Sequence, residues 1–205
     1  MGLVPSVGLG YGVCYGDGIV DTTEEQIGRL VFEAVSRPRG SGRLIFTGGD
    51  GREVLTRMAN AAFEWAMVHR GTIEEELGRR PGGPVVSRNR DIHVHLRNGG
   101  PDMKVPPVYC PAMAVALASL LSGRLPLEEV LVSGDVQELG EYVTGIPSGQ
   151  DLMRMHMQGF RRLCLGYQRS DVAGLVSAAA NVGINVEVME DEDIDFTTAL
   201  RTVFG

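Results

Sequence analysis

The stretch DIHVHLRNGGPDMKVPPVYCPAMAVALASLLSG, residues 91–123, decides how the chain folds. Its first six residues alternate between polar and apolar, which predicts a strand over 91–96. A loop rich in glycine and proline follows and ends at Pro111, a residue suited to the first turn of a helix. Residues 112–121 are apolar at nearly every position, so they predict a helix that is buried on all sides and ends at Gly123.

On both sides of this stretch, the sequence predicts short strands mixed with helices. Asp50 and Glu53 have the spacing of a capping box, so a helix is expected to begin there and to end at Gly71. A polar helix is predicted over 72–79, and further helices are predicted over 150–158, 171–180 and 194–203. The other predicted strands are 7–20 (with a turn), 43–46, 130–133, 136–146, 162–165 and 184–188. This mixed order predicts an α+β fold, with residues 1–205 forming a single domain.

The composition limits the class of protein and the compartment in which we expect it. The chain has 205 residues, of which 43% are hydrophobic, enough for a sizeable core. Its longest wholly apolar run, 112–118, is far too short for a membrane span, and no signal-like segment opens the chain. The 3 cysteines are scattered and odd in number, which argues against a disulfide scaffold. We therefore expect an intracellular protein in a reducing compartment, without distinguishing bacterial cytoplasm from mitochondrial matrix, and no membrane contact.

The charges are unevenly distributed. The net charge is -7, and residues 187–195 contain six acids and no base, which is typical of a solvated surface. The arginines never form a long basic run, so we expect no nucleic-acid partner. Lys104 is the single lysine of the sequence. Any mechanism that needs a catalytic lysine must therefore use Lys104.

General catalytic motifs are missing from the sequence. It has no Walker motif, no H-E-x-x-H helix and no G-x-S-x-G elbow, and GLGYG at 8–12 lacks the spacing of a dinucleotide-binding loop. His93 and His95 should lie on one face of a strand, where they could provide two ligands to a metal. Because no third ligand has a recognisable spacing, we interpret the pair as structural and expect no metal and no cofactor.

Residues 91–145 resemble the proteolytic domain of the ATP-dependent Lon proteases, which has a D-x-H-x-H strand and an A-M-x-x-A-L-x-S-x-L-[ST]-G helix. The strand motif corresponds to Asp91, His93 and His95. The positions that match the helix are Ala112, Met113, Ala116, Leu117, Ser119, Leu121 and Gly123, and those that match the next segment are Ser133, Gly134, Asp135 and Gly140. Weaker similarity extends over nearly the whole chain. The resemblance implies the ribosomal protein S5 domain 2-like fold and, since no ATPase motif is present, a proteolytic domain without an ATPase domain.

The resemblance also implies a Ser–Lys peptidase site, in which a serine attacks the peptide carbonyl and a neutral lysine takes its proton. Counting back from Gly123 without a gap places the serine position at Val108. Counting forward from Gly134 places the lysine position at Gly149. Both catalytic side chains would then be missing, and Lys104 would correspond to a loop lysine. The resemblance further implies self-association or a place in a larger complex, so we expect an inactive domain with a scaffolding or assembly role.

The alternative hypothesis is an active peptidase whose nucleophile has moved. Cys110 lies two residues after Val108 at the start of the buried helix, where a thiol pKa is lowered, and His93 or His95 would act as the base. Ser133 and Ser148 are further nucleophile candidates by residue type only. Asp135 is the remaining candidate residue of the degenerate site.

Overall fold

A computed structural model describes residues 7–13, 29–47, 52–81, 85–96, 110–134, 149–166, 172–189 and 197–205. The strands in these residues are β1 (Val7–Val13), β2 (Arg29–Pro38), β3 (Leu44–Thr47), β4 (Arg90–Leu96), β5 (Val130–Gly134), β6 (Arg162–Gly166) and β7 (Asn185–Met189). The helices are α1 (Arg52–Val68), α2 (Arg70–Leu77), α3 (Cys110–Ser122), α4 (Gly149–Met157), α5 (Val172–Asn181) and α6 (Thr197–Phe204). The predicted α+β class is confirmed.

The strands form one 7-stranded sheet in the order β3-β4-β2-β1-β5-β6-β7. Strand β2 is antiparallel to its neighbours β1 and β4, and the remaining pairs are parallel. All strands except β2 therefore run in the same direction and end at the same edge of the sheet. We call this the carboxyl edge.

Helix α3 is the centre of the fold, and its contact with β1 requires glycine. Every residue from 112 to 122 is buried, as the apolar sequence predicts. A Cβ atom at Gly8 would lie 2.0 Å from the carbonyl oxygen of Ala116, and one at Gly10 would lie 1.8 Å from that of Ala112. The helix backbone therefore packs directly on the strand backbone. This close approach explains the first two glycines of the GLGYG sequence, because they lie where β1 packs against α3.

The two faces of the sheet carry two apolar clusters. On one face, α1 and α3 pack over β2 and β4, as Met58 and Met113 share a cluster with Phe32. On the other face, α4 and α5 contribute Leu152 and Leu175 to a cluster that includes β5 and β6. None of the described helices has the length and apolar character needed to cross a bilayer.

Two differences from the sequence predictions have physical explanations. Gly71 does not end the first helix: α1 ends at Val68 and Gly71 lies inside α2, because the N–H groups of His69 and Ile73 still donate to carbonyls four residues earlier. Strand β2 was not predicted, since apolar residues on both of its faces obscure the alternation. The predictions for Asp50 and for 136–146 lie outside the described residues. The predicted helix over 150–158 is confirmed as α4.

We expect Gly10→Ala to destabilise the fold strongly, because its methyl group would overlap the backbone of α3. A loss of about 3 kcal/mol in the free energy of unfolding is expected, the upper part of the range for overpacking. Gly174→Ala is the matched control, because a Cβ there meets nothing within 4 Å. That change in α5 should stabilise the protein by about 0.5–1 kcal/mol. Urea unfolding measures both, and equal stability of Gly10→Ala and the native sequence would contradict the contact.

Candidate functional site

The two histidines of the D-x-H-x-H strand lie side by side on β4. Their ring centroids are 5.8 Å apart and the ring planes differ by 26°, which confirms that they share one face. In the sheet, His93 lies between Val35 and Ile45, and His95 lies between Glu33 and Thr47. Both side chains are half-buried.

His95 is held by a neighbour that the sequence did not indicate. Its Nδ1 atom shares a hydrogen bond with Oγ1 of Thr47 on β3. Burial lowers the pKa of His95, and the positive charge of His93 lowers it further, while Glu33 acts in the opposite direction. The neutral imidazole is therefore favoured in the folded protein. The Thr47 contact depends on the pairing of β3 with β4, which no local pattern reveals.

Asp91, the first residue of the same motif, has a structural role at the other end of β4. Its carboxylate accepts hydrogen bonds from the backbone N–H groups of Ser41, at 2.7 Å, and Arg43, at 2.9 Å. The bonds from Arg43 and then Ser41 lower the pKa of Asp91. Asp91 therefore stabilises the turn that leads into β3.

The remaining candidate positions lie on elements that converge at the carboxyl edge. Cys110 is the first residue of α3, Ser133 is the fourth residue of the five-residue strand β5, and Gly149 is the first residue of α4. Helix α3 runs antiparallel to β1, so its first turn lies at this edge, and α4 begins there because it connects the parallel strands β5 and β6. Val108, Asp135 and Ser148 lie outside the described residues.

The sheet separates the histidine pair from α3. His95 pairs with Glu33, and Glu33 pairs with Leu9, so these three side chains share one face. Gly8 and Gly10 point from the opposite face of β1 towards α3. The rings that could act as a base for Cys110 are thus on the face of the sheet that α3 does not cover.

In the part of the chain that the structure describes, no cluster of side chains is suited to a metal, and the buried thiol of Cys164 is not activated. Within those residues, no group of three histidine, cysteine or acidic side chains could hold a metal ion. Cys164 is buried in β6, and burial raises its pKa to about 12, so its thiol stays protonated at neutral pH.

Comparison with known proteins gives one consistent family, although no protein-family model matches the sequence. Lon protease 2 of Syntrophobacter fumaroxidans is 31% identical over 155 residues, 76% of this chain. Lon protease 1 of Thermus thermophilus is 28% identical over 85% of the chain, and the peroxisomal Lon protease homolog 2 of Xenopus laevis is 29% identical over 67%. The aligned regions cover only 16–20% of the length of these relatives.

The mixed sheet with its buried α3 defines an α+β domain, and the D-x-H-x-H strand lies within it. Together with the relatives, this places the chain in the Lon family, as a Lon-type proteolytic domain.

We expect His95 to make the folded protein less stable on mild acidification. Because the pKa of His95 is lower in the folded state, the unfolded chain binds the proton first as the pH falls below about 6.5. Stability should therefore decrease from pH 6.5 towards the lowered pKa. His95→Gln should flatten this part of the stability curve, measured by urea unfolding at several pH values. His93→Gln should flatten it in part, because it removes the neighbouring charge. An unchanged slope in both variants would contradict this assignment.

Proposed function

We propose that this chain is a catalytically inactive Lon-type proteolytic domain with a structural, scaffolding or assembly role. The observation that carries the proposal is the absence of a suitable base: the sequence has the single lysine Lys104, and the position expected for the catalytic lysine is Gly149. A Ser–Lys mechanism needs an amine that is neutral when the serine attacks, and burial is what lowers a lysine pKa to that point.

The surroundings of Gly149 support this proposal. Gly149 is exposed at the start of α4, and a Cβ atom built on it meets nothing within 4 Å. A longer side chain would therefore fit, but glycine supplies none. At the serine position, Val108 has no nucleophilic atom. The nucleophile and its base are thus both missing from the expected positions.

The intact core supports a role for the surface of the domain. Residues 112–122 of α3 are all buried and every described strand belongs to one sheet, so the sequence still specifies the fold. Helix α4 presents Met153 and Met157 to solvent, with 54% and 78% of their surfaces exposed. Flexible, polarizable methionine side chains adapt well to a partner surface. A domain without a nucleophile that keeps such a core is suited to assembly.

The alternative, a peptidase that uses Cys110, has one observation in its favour. Cys110 is the first residue of α3, where the helix dipole lowers a thiol pKa. The position of the histidines argues against this alternative, because they lie on the face of the sheet opposite α3. In addition, Nδ1 of His95 is already hydrogen-bonded to Thr47. The inactive domain is therefore the better supported function.

We expect no cleavage of unfolded casein or short fluorogenic peptides by the purified chain, with or without ATP. Val108→Ser alone and Gly149→Lys alone should also remain inactive, because nucleophile and base act as a unit and one without the other recovers almost nothing. The double variant is the smallest change that could restore a measurable rate. Cleavage by the unmodified chain that is lost in Cys110→Ala would contradict the proposal and support the alternative.

We expect the purified chain to form a homo-oligomer or to co-purify with a larger complex. Multi-angle light scattering at several concentrations measures the mass in solution, and a pull-down from the native source tests the second possibility. The double variant Met153→Gln with Met157→Gln tests whether the exposed methionines of α4 take part in the association, because it leaves the buried residues of α4 intact. A strictly monomeric chain with no partner would rule out an assembly role.

A further inference from the structure

Three polar side chains form a row across three adjacent strands, on the face of the sheet that α3 does not cover. Glu33 on β2 is paired with His95 on β4, and His95 is paired with Thr47 on β3. Adjacent strands are about 4.8 Å apart, so each member of the row lies beside the next. A carboxylate, an imidazole and a hydroxyl group therefore follow one another in the order acid, base and nucleophile. We call these three residues the polar row.

The hydroxyl group of Thr47 is hydrogen-bonded to the imidazole of the polar row. Oγ1 of Thr47 and Nδ1 of His95 share this bond. Burial lowers the pKa of His95, so the neutral ring is favoured. A neutral imidazole with its proton on Nε2 accepts the hydroxyl hydrogen at Nδ1. The ring is thus placed to take a proton from Thr47, which is what an activated hydroxyl nucleophile requires.

The groups around His95 hold its ring and adjust its basicity. The ring of His93 is stacked beside it, with the centroids 5.8 Å apart and the planes 26° apart. The charge of His93 lowers the pKa of His95, the charge of Glu33 raises it, and the charge of Arg37 on β2 lowers it. The residues of β3 on this face are uncharged. Glu33 acts through the ring of His95, so it is a positioning residue.

The polar row lies next to an apolar strip and is accessible to a small molecule. All three members of the row are half-buried. In the neighbouring row, Val35 and Ile45 lie on either side of His93, and both are half-buried. The apolar cluster on this face of the sheet includes none of the described residues of β3 or β4. The strip is therefore suited to a short alkyl chain, beside a hydroxyl group that can attack a carbonyl.

We propose that Thr47, His95 and Glu33 hydrolyse small carboxylic esters. Oγ1 of Thr47 attacks the carbonyl carbon of the ester while Nδ1 of His95 takes the hydroxyl proton, and an acyl–oxygen bond forms. The bond between the carbonyl carbon and the alcohol oxygen breaks, and the leaving alcohol receives the proton from His95. Water then attacks the acyl group with the same ring as its base, which releases the carboxylic acid and restores Thr47. One ester and one water give one acid and one alcohol.

This activity goes beyond the proposed function and does not rest on it. The inactivity proposed above concerns peptide bonds, and the polar row does not include Val108 or Gly149, where the peptidase residues are expected. An amine must be protonated as it leaves the acyl carbon, whereas an activated alcohol leaves readily without such help. The polar row is therefore expected to act on esters and not on peptides. The ester assay and the peptide assay give independent results.

Hydrolysis of p-nitrophenyl butyrate tests the proposal. The native chain should hydrolyse this ester faster than an equal concentration of free imidazole. Thr47→Val and His95→Gln should each lower the rate about hundredfold, because the nucleophile or its base is lost. Thr47→Ser keeps a hydroxyl group and should retain most of the rate. A Thr47→Val variant as active as the native chain would overturn the proposal.

Two matched variants exclude a general effect of histidine or threonine side chains. His156→Gln on α4 and Thr202→Val on α6 change half-buried residues outside the polar row and should leave the rate unchanged. Labelling of the native chain gives a result that does not depend on the folding of any variant. An alkyl fluorophosphonate reacts with an activated hydroxyl group and releases fluoride, and peptide mapping should find the label on Thr47. A native chain without a label on Thr47 would overturn the proposal.

The pH dependence of ester hydrolysis separates a catalytic role of the polar row from a structural one. The rate should rise with pH through the pKa of His95, because only the neutral ring accepts a proton. Glu33→Gln should move the midpoint to lower pH, because it removes the charge that raises this pKa. Arg37→Gln should move the midpoint to higher pH, because it removes a charge that lowers this pKa. Midpoints that do not move in these opposite directions would overturn the roles given to Glu33 and His95.

Discussion

The backbone contact between α3 and β1 is the constraint on which the rest of the structure depends. Because Gly8 and Gly10 carry no side chains, the helix lies directly against the middle of the sheet. Ser119 strengthens the contact, since its hydroxyl accepts the N–H of Leu9 and donates to the carbonyl of Arg124. With α3 fixed there, its first turn is brought to the carboxyl edge. The position of the candidate site follows from this packing.

The polar residues of the candidate site are explained by incomplete covering of the sheet. The face that α1 and α3 cover carries apolar residues in the core, from Phe32 on β2 to Val94 on β4. The opposite face of the same strands carries Glu33, His93 and His95, which are half-buried. Half-burial is enough to favour the neutral form of His95, as burial is the main cause of its lowered pKa. The histidines are therefore accommodated by hydrogen bonding and stacking.

A domain of this kind separates the requirements of folding from those of catalysis. Folding depends on α3, the glycines of β1 and the two apolar clusters, and all of these are present. A Ser–Lys reaction depends on a serine and a lysine, and the positions that the resemblance expects for them hold Val108 and Gly149. The proposed loss of the lysine leaves the core intact, because Gly149 is exposed. The proposed loss of chemistry is thus compatible with a well-packed fold.

The sequence by itself determined the elements that have strong local patterns. The alternation of 91–96, the apolar run of 112–121 and the stop at Gly123 predicted β4 and α3, because period and burial are properties of neighbouring residues. Strand β2 was not predicted from the sequence. It has apolar residues on both faces, and this pattern indicates a strand only once β1 and β4 are known to flank it. The roles of Gly8 and Thr47 were decided by the tertiary structure alone. Each of them depends on a contact between residues distant in the chain, and no local spacing specifies such a contact.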